Sequence, residues 1–312
     1  QWGMDITAPR FTDETAARQH LEAIRWPEGP SCPHCGSVNA TRLEGKKHRA
    51  GLIQCNDCRE QYTVTVGTLF ERSKIPLHKW LLCNHLICSS KKGISAKQIE
   101  RMLGVTYKTA WFMCHRIREA MKPSDETPPL GGMGKIVEAD ETFVGGKESN
   151  KHKAKRQNYG RGPTGKAAVV SLVERSGNVR SFHVANVTGP LLRAVLVENA
   201  SRDSVLITDD HSGYISVGKE FRTHASVAHS KGEYVRDRII HSNTAENFFS
   251  IFKRGVIGTY HHLSKAHLAR YTAEFDFRYN TRKDTDFERS DIALKAIEGK
   301  RLTYRRTGQI AA

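Results

Sequence analysis

The sequence lacks both a long apolar run and an excess of acidic residues. No stretch of its 312 residues approaches the roughly 20 consecutive apolar residues that a membrane-spanning helix needs, and the N-terminus lacks the apolar segment of a secretory signal. Acidic residues number 33 against 49 lysines and arginines, a formal net charge of +16. Because each neutralised phosphate releases counterions, this excess favours nucleic acid as the partner. With no apolar run, no association with a membrane is expected.

Cysteine is also too sparse and too regularly paired for a secreted disulfide framework. Four of the seven cysteines form the pattern C-x2-C-x19-C-x2-C, namely Cys32, Cys35, Cys55 and Cys58. Two such pairs complete the tetrahedral thiolate shell of a structural Zn²⁺, which leaves no open position for catalysis. The other three, Cys83, Cys88 and Cys114, have no metal-ligand spacing and are predicted to lie in a core. We therefore expect a zinc ribbon in a reducing cytoplasm.

Residues 94–121 predict two helices joined by a turn. Ser95 and Thr106 are the predicted N-caps, and Gly104 permits the turn between the helices. Ile99, Met102, Leu103, Ala110, Trp111, Cys114 and Ile117 are assigned to the inner faces. The outer face of the second helix is assigned Tyr107, Lys108, Thr109, His115, Arg116 and Arg118. This layout is typical of a helix-turn-helix whose second helix enters a DNA groove, with an ordinary helical hairpin as the alternative.

Acidic residues occur inside a predicted strand at residues 135–146. With a period of two, Glu138 and Asp140 share one face, and Glu141 lies on the other. Carboxylates in an apolar strand are costly unless they are paired or bind a metal. Further strands at 167–175 and 179–187, a helix at 190–200 and a strand at 204–210 predict a ribonuclease-H-like α/β domain with a mixed sheet. In it, Asp140 and Asp209 converge on an oxygen-rich site for two Mg²⁺ or Mn²⁺ ions.

The segment HSNTAENFFSIFKRG, residues 241–255, offers a third ligand for that site. On a helix, Glu246 and Lys253 fall on one narrow stripe, and Asn243 stands 60° from Glu246. Asn243 and Glu246 also fit a capping box, which would need no metal. We favour Glu246 as the metal ligand, Asn243 as the N-cap, and Lys253 as a contact to a DNA phosphate. Arg254 is a further expected DNA contact.

At this point the residues match a family. The chain resembles bacterial insertion-sequence transposases of the zinc-ribbon type through VEADETFVGGKE, ITDDHSGY, HSNTAENFFSIFKRG and GTYHHLSKAHLARYTAEFDFRYNTR. The resemblance implies an Asp–Asp–Asn/Glu triad with a trailing lysine, which falls on Asp140, Asp209, either Asn243 or Glu246, and Lys253. It implies Mg²⁺-dependent cutting of double-stranded DNA at terminal inverted repeats, strand transfer into a target, and at least a homodimer. The doublet Asp209–Asp210 and the two third-residue candidates depart from a simple pattern.

The predicted organisation is multidomain, and the protein is expected at the nucleoid of the bacterial cytoplasm. The predicted parts are an N-terminal helical segment (1–29), a zinc ribbon (30–72), a helix-turn-helix-like DNA-binding module (73–122), a linker (123–134), a catalytic domain (135–290) with a basic loop (145–166), and a basic tail (291–312). Two alternatives to a transposase stay open: a DNA-binding regulator with an inactive nuclease-like domain, and a nuclease without strand transfer.

Overall fold

A computed structural model describes residues 6–124, 126–146, 148–156, 165–227 and 240–303. Part of the predicted basic loop (residues 147 and 157–164) and the end of the predicted tail lie outside these ranges. The chain forms two compact units, one holding the described residues up to Met121 and from Lys283 onward, the other Lys122–Arg282. No helix among the described residues is long and apolar enough to cross a membrane.

The first unit contains a small antiparallel sheet and a set of helices. Its strands are β1 (Ala40–Arg42), β2 (Ile53–Cys55) and β3 (Gln61–Tyr62), in the order β1-β2-β3. Its helices are α1 (Glu14–Arg25), α2 (Leu77–Ser89), α3 (Ala96–Leu103), α4 (Tyr107–Ala120) and, from the far end of the chain, α9 (Asp286–Lys295). The second unit therefore ends eight residues before the predicted boundary at 290. α9 belongs to the first unit because its apolar face is buried there and Asn84 donates to the Ser290 carbonyl at 2.9 Å.

The helix pair α3 and α4 has the predicted caps and turn. The side chains of Ser95 and Thr106 accept hydrogen bonds from backbone N–H groups of their helices, and Gly104 ends α3 with φ +60°. The predicted faces are partly wrong. His115 and Arg118, assigned to the outer face, are 1% and 2% exposed, whereas Met102, assigned to the inner face, is 49% exposed. α4 packs against α2 and α9 as well as α3, so it buries more of its circumference than a two-helix pattern predicts.

The second unit is built on a five-stranded mixed sheet. Its strands are β4 (Ile136–Val144), β5 (Ala167–Glu174), β6 (Val179–Val184), β7 (Val205–Asp209) and β8 (Thr223–Val227), in the order β6-β5-β4-β7-β8. The first three strands pair antiparallel as the predicted meander, and β7 and β8 run parallel to β4. The sequence prediction missed β8 and the short helix before it. The β4–β7 pairing ends at Ala139 and Thr208, so β4 continues past the carboxyl end of β7.

Helices cover both faces of this sheet. They are α5 (Gly189–Asn199), α6 (Gly213–Gly218), α7 (Asn243–Gly255) and α8 (Leu268–Asn280). Val137 and Ala139 pack in one core cluster with residues of α5 and α6, and Val169 and Val173 pack in the other with α7 and α8. The period of two therefore directs Glu138 and Asp140 of β4 toward the face that α7 covers.

A glycine in the linker before β4 allows the backbone of the linker to lie close to this sheet. Gly131 has φ +88°, and a Cβ there would overlap Ser204 Oγ and lie 2.8 Å from Val137 Cγ2. We expect Gly131→Ala to lower the free energy of unfolding of this unit by roughly 2–3 kcal/mol, because it adds both strain and overlap. Thermal unfolding compared with Gly146→Ala, where a Cβ meets nothing within 4 Å, checks this. Equal melting temperatures for the two variants would contradict it.

Candidate active site and zinc centre

The four ribbon cysteines lie together at the edge of the small sheet. Their Sγ atoms all fall within 4.8 Å of one another, with Cys32 and Cys58 at 3.7 Å and Cys35 and Cys55 at 3.6 Å. Four sulfurs at about 2.3 Å from a tetrahedral Zn²⁺ would be about 3.8 Å apart. The thiols are unoxidised and their spacing fits zinc, so the predicted structural centre agrees with the geometry.

A second cluster lies where β4 passes the carboxyl end of β7. Oxygen atoms of Asp140, Glu141 and Asp209 fall within 4.8 Å of one another. Asp209 is the last residue of β7, and β4 runs past that end, so side chains from both of its faces reach the same space. Asp210 follows at an exposed position. Of the predicted doublet, Asp209 is the residue that the strand directs into the cluster.

Burial and like charge make this cluster costly when it is ionised. Burial, together with the carboxylates of Glu141, Asp209 and Glu246, raises the pKa of Asp140 from 3.8 to about 7, although the Glu141 N–H donates to it at 2.7 Å. Burial and Asp209 also raise the pKa of Glu141, against a 2.8 Å hydrogen bond from the Tyr214 hydroxyl. A divalent cation would relieve the repulsion between these carboxylates.

The donor set fits Mg²⁺ or Mn²⁺ better than zinc. All three side chains offer oxygen, and no sulfur or imidazole belongs to this group. Oxygens on an octahedral Mg²⁺ at about 2.1 Å are about 3–4.2 Å apart, which is compatible with mutual distances within 4.8 Å. The residues present therefore can hold such an ion.

Helix α7 carries the other predicted site residues. Asn243, Glu246, Lys253 and Arg254 are all exposed, whereas Phe248, Phe249 and Phe252 are buried. Glu246 is near enough for its charge to act on Asp140, although it lies outside the tight group of three carboxylates. The prediction that Asn243 is the N-cap is wrong. The helix begins at Asn243, with Ser242 at the N-cap position, so no capping box forms between Asn243 and Glu246.

The N-terminus of α7 is instead bound by Glu138, which is fully buried on β4. The Glu138 carboxylate accepts from the backbone N–H groups of Thr244 and Ala245 at 2.9 and 3.0 Å, and from the Thr244 hydroxyl at 2.9 Å. Arg175 Nε donates to the same carboxylate at 2.6 Å, and the Arg175 guanidinium donates to the His241 carbonyl at 2.7 Å. These contacts join the helix that carries Glu246 to the strand that carries Asp140.

The predicted DNA contacts of the first unit lie at the start and middle of α4. Tyr107 is 48% exposed, Lys108 is exposed and Thr109 is half-buried. Arg116 is half-buried; its Nε donates to the Leu302 carbonyl at 3.1 Å, and its guanidinium lies 4.8 Å from the centre of the Phe112 ring. Arg116 therefore has a structural role as well as an available charge.

Two family models match the chain. Residues 12–61 match a transposase zinc-ribbon domain, and residues 129–280 match an ISXO2-like transposase domain. The matches together span about two thirds of the sequence and cover both predicted centres. The chain belongs to the zinc-ribbon insertion-sequence transposases. The resemblance drawn from the residues is thereby confirmed.

One relative matches most of the chain. It is named "Uncharacterized protein in transposable element ISH50", from Halobacterium salinarum, and is 28% identical over 278 residues, 86% of this chain and 91% of its own length. A crystal structure of a pre-cleavage Mos1 transpososome shares 11% identity and a TM-score of 0.20, over 59% of this chain and 74% of its own. That likeness is too low to carry an argument.

Sequence reasoning missed two residues of the site. Glu141 was assigned to the face opposite Asp140, because a period of two cannot show that the pairing with β7 has already ended there. Glu138 was grouped with Asp140, but its partners Thr244 and Ala245 are more than a hundred residues away. Its only signal in the sequence was the cost of an acidic residue within an apolar strand.

Removing Glu138 tests whether it holds α7 in place. Glu138→Ala leaves the half-buried Arg175 without this carboxylate and leaves N–H groups of the first turn of α7 without their acceptor, so we expect a loss of roughly 3–5 kcal/mol in the free energy of unfolding. Hydrogen exchange should accelerate first in residues 243–255. Glu198→Ala, at an exposed position on α5, is the matched control. A loss below about 1 kcal/mol with unchanged protection of α7 would contradict the role.

The raised pKa of Asp140 predicts a pH-dependent stability without added Mg²⁺ or Mn²⁺. Because the folded state binds this proton more tightly, the carboxyl's contribution is full below about pH 4 and is lost as pH rises through about 7. Asp140→Asn should therefore be more stable than the wild type at pH 8, by roughly 2 kcal/mol, and the difference should shrink at pH 5. Melting temperatures at both pH values check this, and a pH-independent difference would contradict it.

Proposed function

We propose that the transposase cleaves double-stranded DNA at the terminal inverted repeats of its insertion sequence and joins the ends to a target. The observation that carries this is the cluster of Asp140, Glu141 and Asp209 where β4 passes the end of β7. Three carboxylates held this closely, with the pKa of Asp140 raised to about 7, form an arrangement suited to divalent cations. The order β6-β5-β4-β7-β8 supports a ribonuclease-H-like catalytic domain.

The catalytic ions are proposed to be Mg²⁺ or Mn²⁺, two in number, held by Asp140, Asp209 and a third ligand. When bound, such ions activate an attacking oxygen and stabilise the leaving oxygen of a phosphodiester. Asp140 within β4 and Asp209 at the end of β7 would hold the ions, and Glu141, whose carboxylate accepts from the Tyr214 hydroxyl, would add charge beside them. The half-buried positions of all three limit competition from water.

Glu246 is proposed as the third ligand in preference to Asn243. Both are exposed on the first turn of α7, but the charge of Glu246 acts on Asp140. Because Glu138 binds the N-terminus of the helix, neither side chain is needed to cap it. Asn243 stays the competing ligand, and the two substitutions described below separate them.

The cations on α7 and α4 are proposed to bind DNA phosphates. Lys253 lies two turns along α7 from Glu246 on the same stripe, and Arg254 follows it; both are exposed. On the first unit, Tyr107, Lys108, Thr109 and Arg116 are proposed as contacts to the terminal inverted repeat, with α3 and α4 as a helix-turn-helix-like module. We further propose a homodimer or larger assembly that pairs two ends, acting in the cytoplasm at the nucleoid.

A cleavage assay tests this proposal. A labelled duplex carrying the end of the element is incubated with Mg²⁺, and nicked and joined products are separated. Asp140→Asn and Asp209→Asn should lower the cleavage rate at least about a hundredfold, because each removes a metal ligand. Asp210→Asn, one residue further along, is the matched control and should keep activity near that of the wild type.

The same assay separates the alternatives. Identical products from the wild type and Asp140→Asn would overturn the catalytic proposal and favour a DNA-binding regulator. Cleavage without joined products would favour a nuclease without strand transfer. If Glu246→Gln keeps full Mg²⁺-dependent cleavage while Asn243→Ala loses it, the third ligand is Asn243.

A further inference from the structure

The first unit contains a cleft outside the acidic cluster and the zinc centre. It has a volume of about 440 Å³ and lies between residues 72–75 and the first three turns of α4. The loop is held by Trp80, whose indole N–H donates to Ser73 Oγ at 2.9 Å, and Ser73 Oγ also accepts from the Ile75 N–H at 3.1 Å. These hydrogen bonds fix the conformation of the loop that forms one wall of the cleft.

The walls of the cleft are strongly basic. Arg72, Lys74 and Lys108 are exposed at its rim, and Arg116 lies deeper and half-buried. Burial, together with the charge of Arg301, lowers the pKa of Arg116. The acidic neighbour is Glu71, which pairs with Arg72 at 3.5 Å and also accepts from the Gly67 N–H. This group of cations favours an anionic ligand, and guanidinium and ammonium ions bind phosphate well.

The floor of the cleft is apolar and aromatic. It includes Ile75, Phe112 and Met113, and the Arg116 guanidinium lies over the Phe112 ring. A phosphate gains nothing from contact with an apolar surface, whereas a deoxyribose and a base can pack against one. In a duplex the bases are stacked and paired inside the helix, and a phosphate backbone presents no apolar face to a concave surface. The floor therefore suits a nucleotide whose base is unpaired.

We propose that this cleft binds one unpaired nucleotide of single-stranded or frayed DNA, with its phosphate on Arg72, Lys74 and Lys108 and its base against Phe112 and the guanidinium of Arg116. The proposal rests on the proposed action of the transposase on DNA. It adds a site for single-stranded DNA on the first unit that is separate from the proposed catalytic carboxylates and that shares Lys108 and Arg116 with the proposed contacts to the terminal inverted repeat.

Fluorescence anisotropy tests this proposal. The affinity of the protein is measured for fluorescein-labelled oligothymidine and for a blunt duplex of equal length, across a salt series and without added divalent ions. Phe112→Leu keeps apolar bulk but removes the ring, so oligothymidine affinity should fall at least about fivefold while duplex affinity changes little. Lys108→Ala should weaken oligothymidine binding and lower its salt slope by about 0.7. Lys97→Ala, which removes an exposed cation of α3 that pairs with Glu100, should leave oligothymidine affinity unchanged.

Unchanged oligothymidine affinity in both Phe112→Leu and Lys108→Ala, with melting temperatures equal to that of the wild type, would overturn the proposal. Equal losses for oligothymidine and duplex in Phe112→Leu would also overturn it, because the cleft would then be part of a general duplex-binding surface. Since the assay measures binding in the absence of Mg²⁺, a failure of catalysis leaves its outcome unaffected, and the reverse also holds.

Discussion

The second unit depends on one buried carboxylate, that of Glu138. It is fully buried, and it accepts hydrogen bonds from two backbone N–H groups at the start of α7 and from Arg175. A carboxylate is tolerated in a core only when the surrounding protein supplies hydrogen-bond donors and an opposite charge. Loss of any one of these groups therefore destabilises the others. These contacts fix the position of α7 against β4, because a shift of the helix away from the strand would leave the carboxylate of Glu138 without its hydrogen-bond donors.

That constraint allows the site itself to be electrostatically unfavourable. Asp140, two residues from Glu138 on the same face, has a pKa raised to about 7 by burial and by neighbouring carboxylates. A cluster of this kind resists its own ionisation, and its geometry persists because the surrounding sheet and helix are held by other interactions. Two of the three carboxylates of β4 therefore have opposite roles, since Glu138 is neutralised by protein groups and Asp140 is suited to a cation.

Much of the fold follows from local patterns in the sequence. The CxxC spacing, the caps at Ser95 and Thr106, and the order of strands from β4 to β7 are all readable from neighbouring residues. The rest depends on contacts between distant residues. α9 packs on α2 through Asn84 and Ser290, Glu138 binds Thr244, and Glu141 joins the cluster only because β7 ends before β4 does. The prediction that Asn243 is the N-cap is wrong because the helix begins one residue earlier than predicted, and Glu138 on β4 accepts from N–H groups of its first turn.

The central claim is that the acidic cluster is a divalent-cation site built by β4 and β7. Anomalous diffraction from crystals soaked in Mn²⁺ measures this most directly, because zinc and manganese are distinguished by their absorption edges. The account predicts manganese density in contact with carboxylate oxygens of Asp140 and Asp209, and zinc density among the four ribbon cysteines. Manganese density absent from the cluster, in crystals where the cluster is open to solvent and the ribbon holds its zinc, would contradict it.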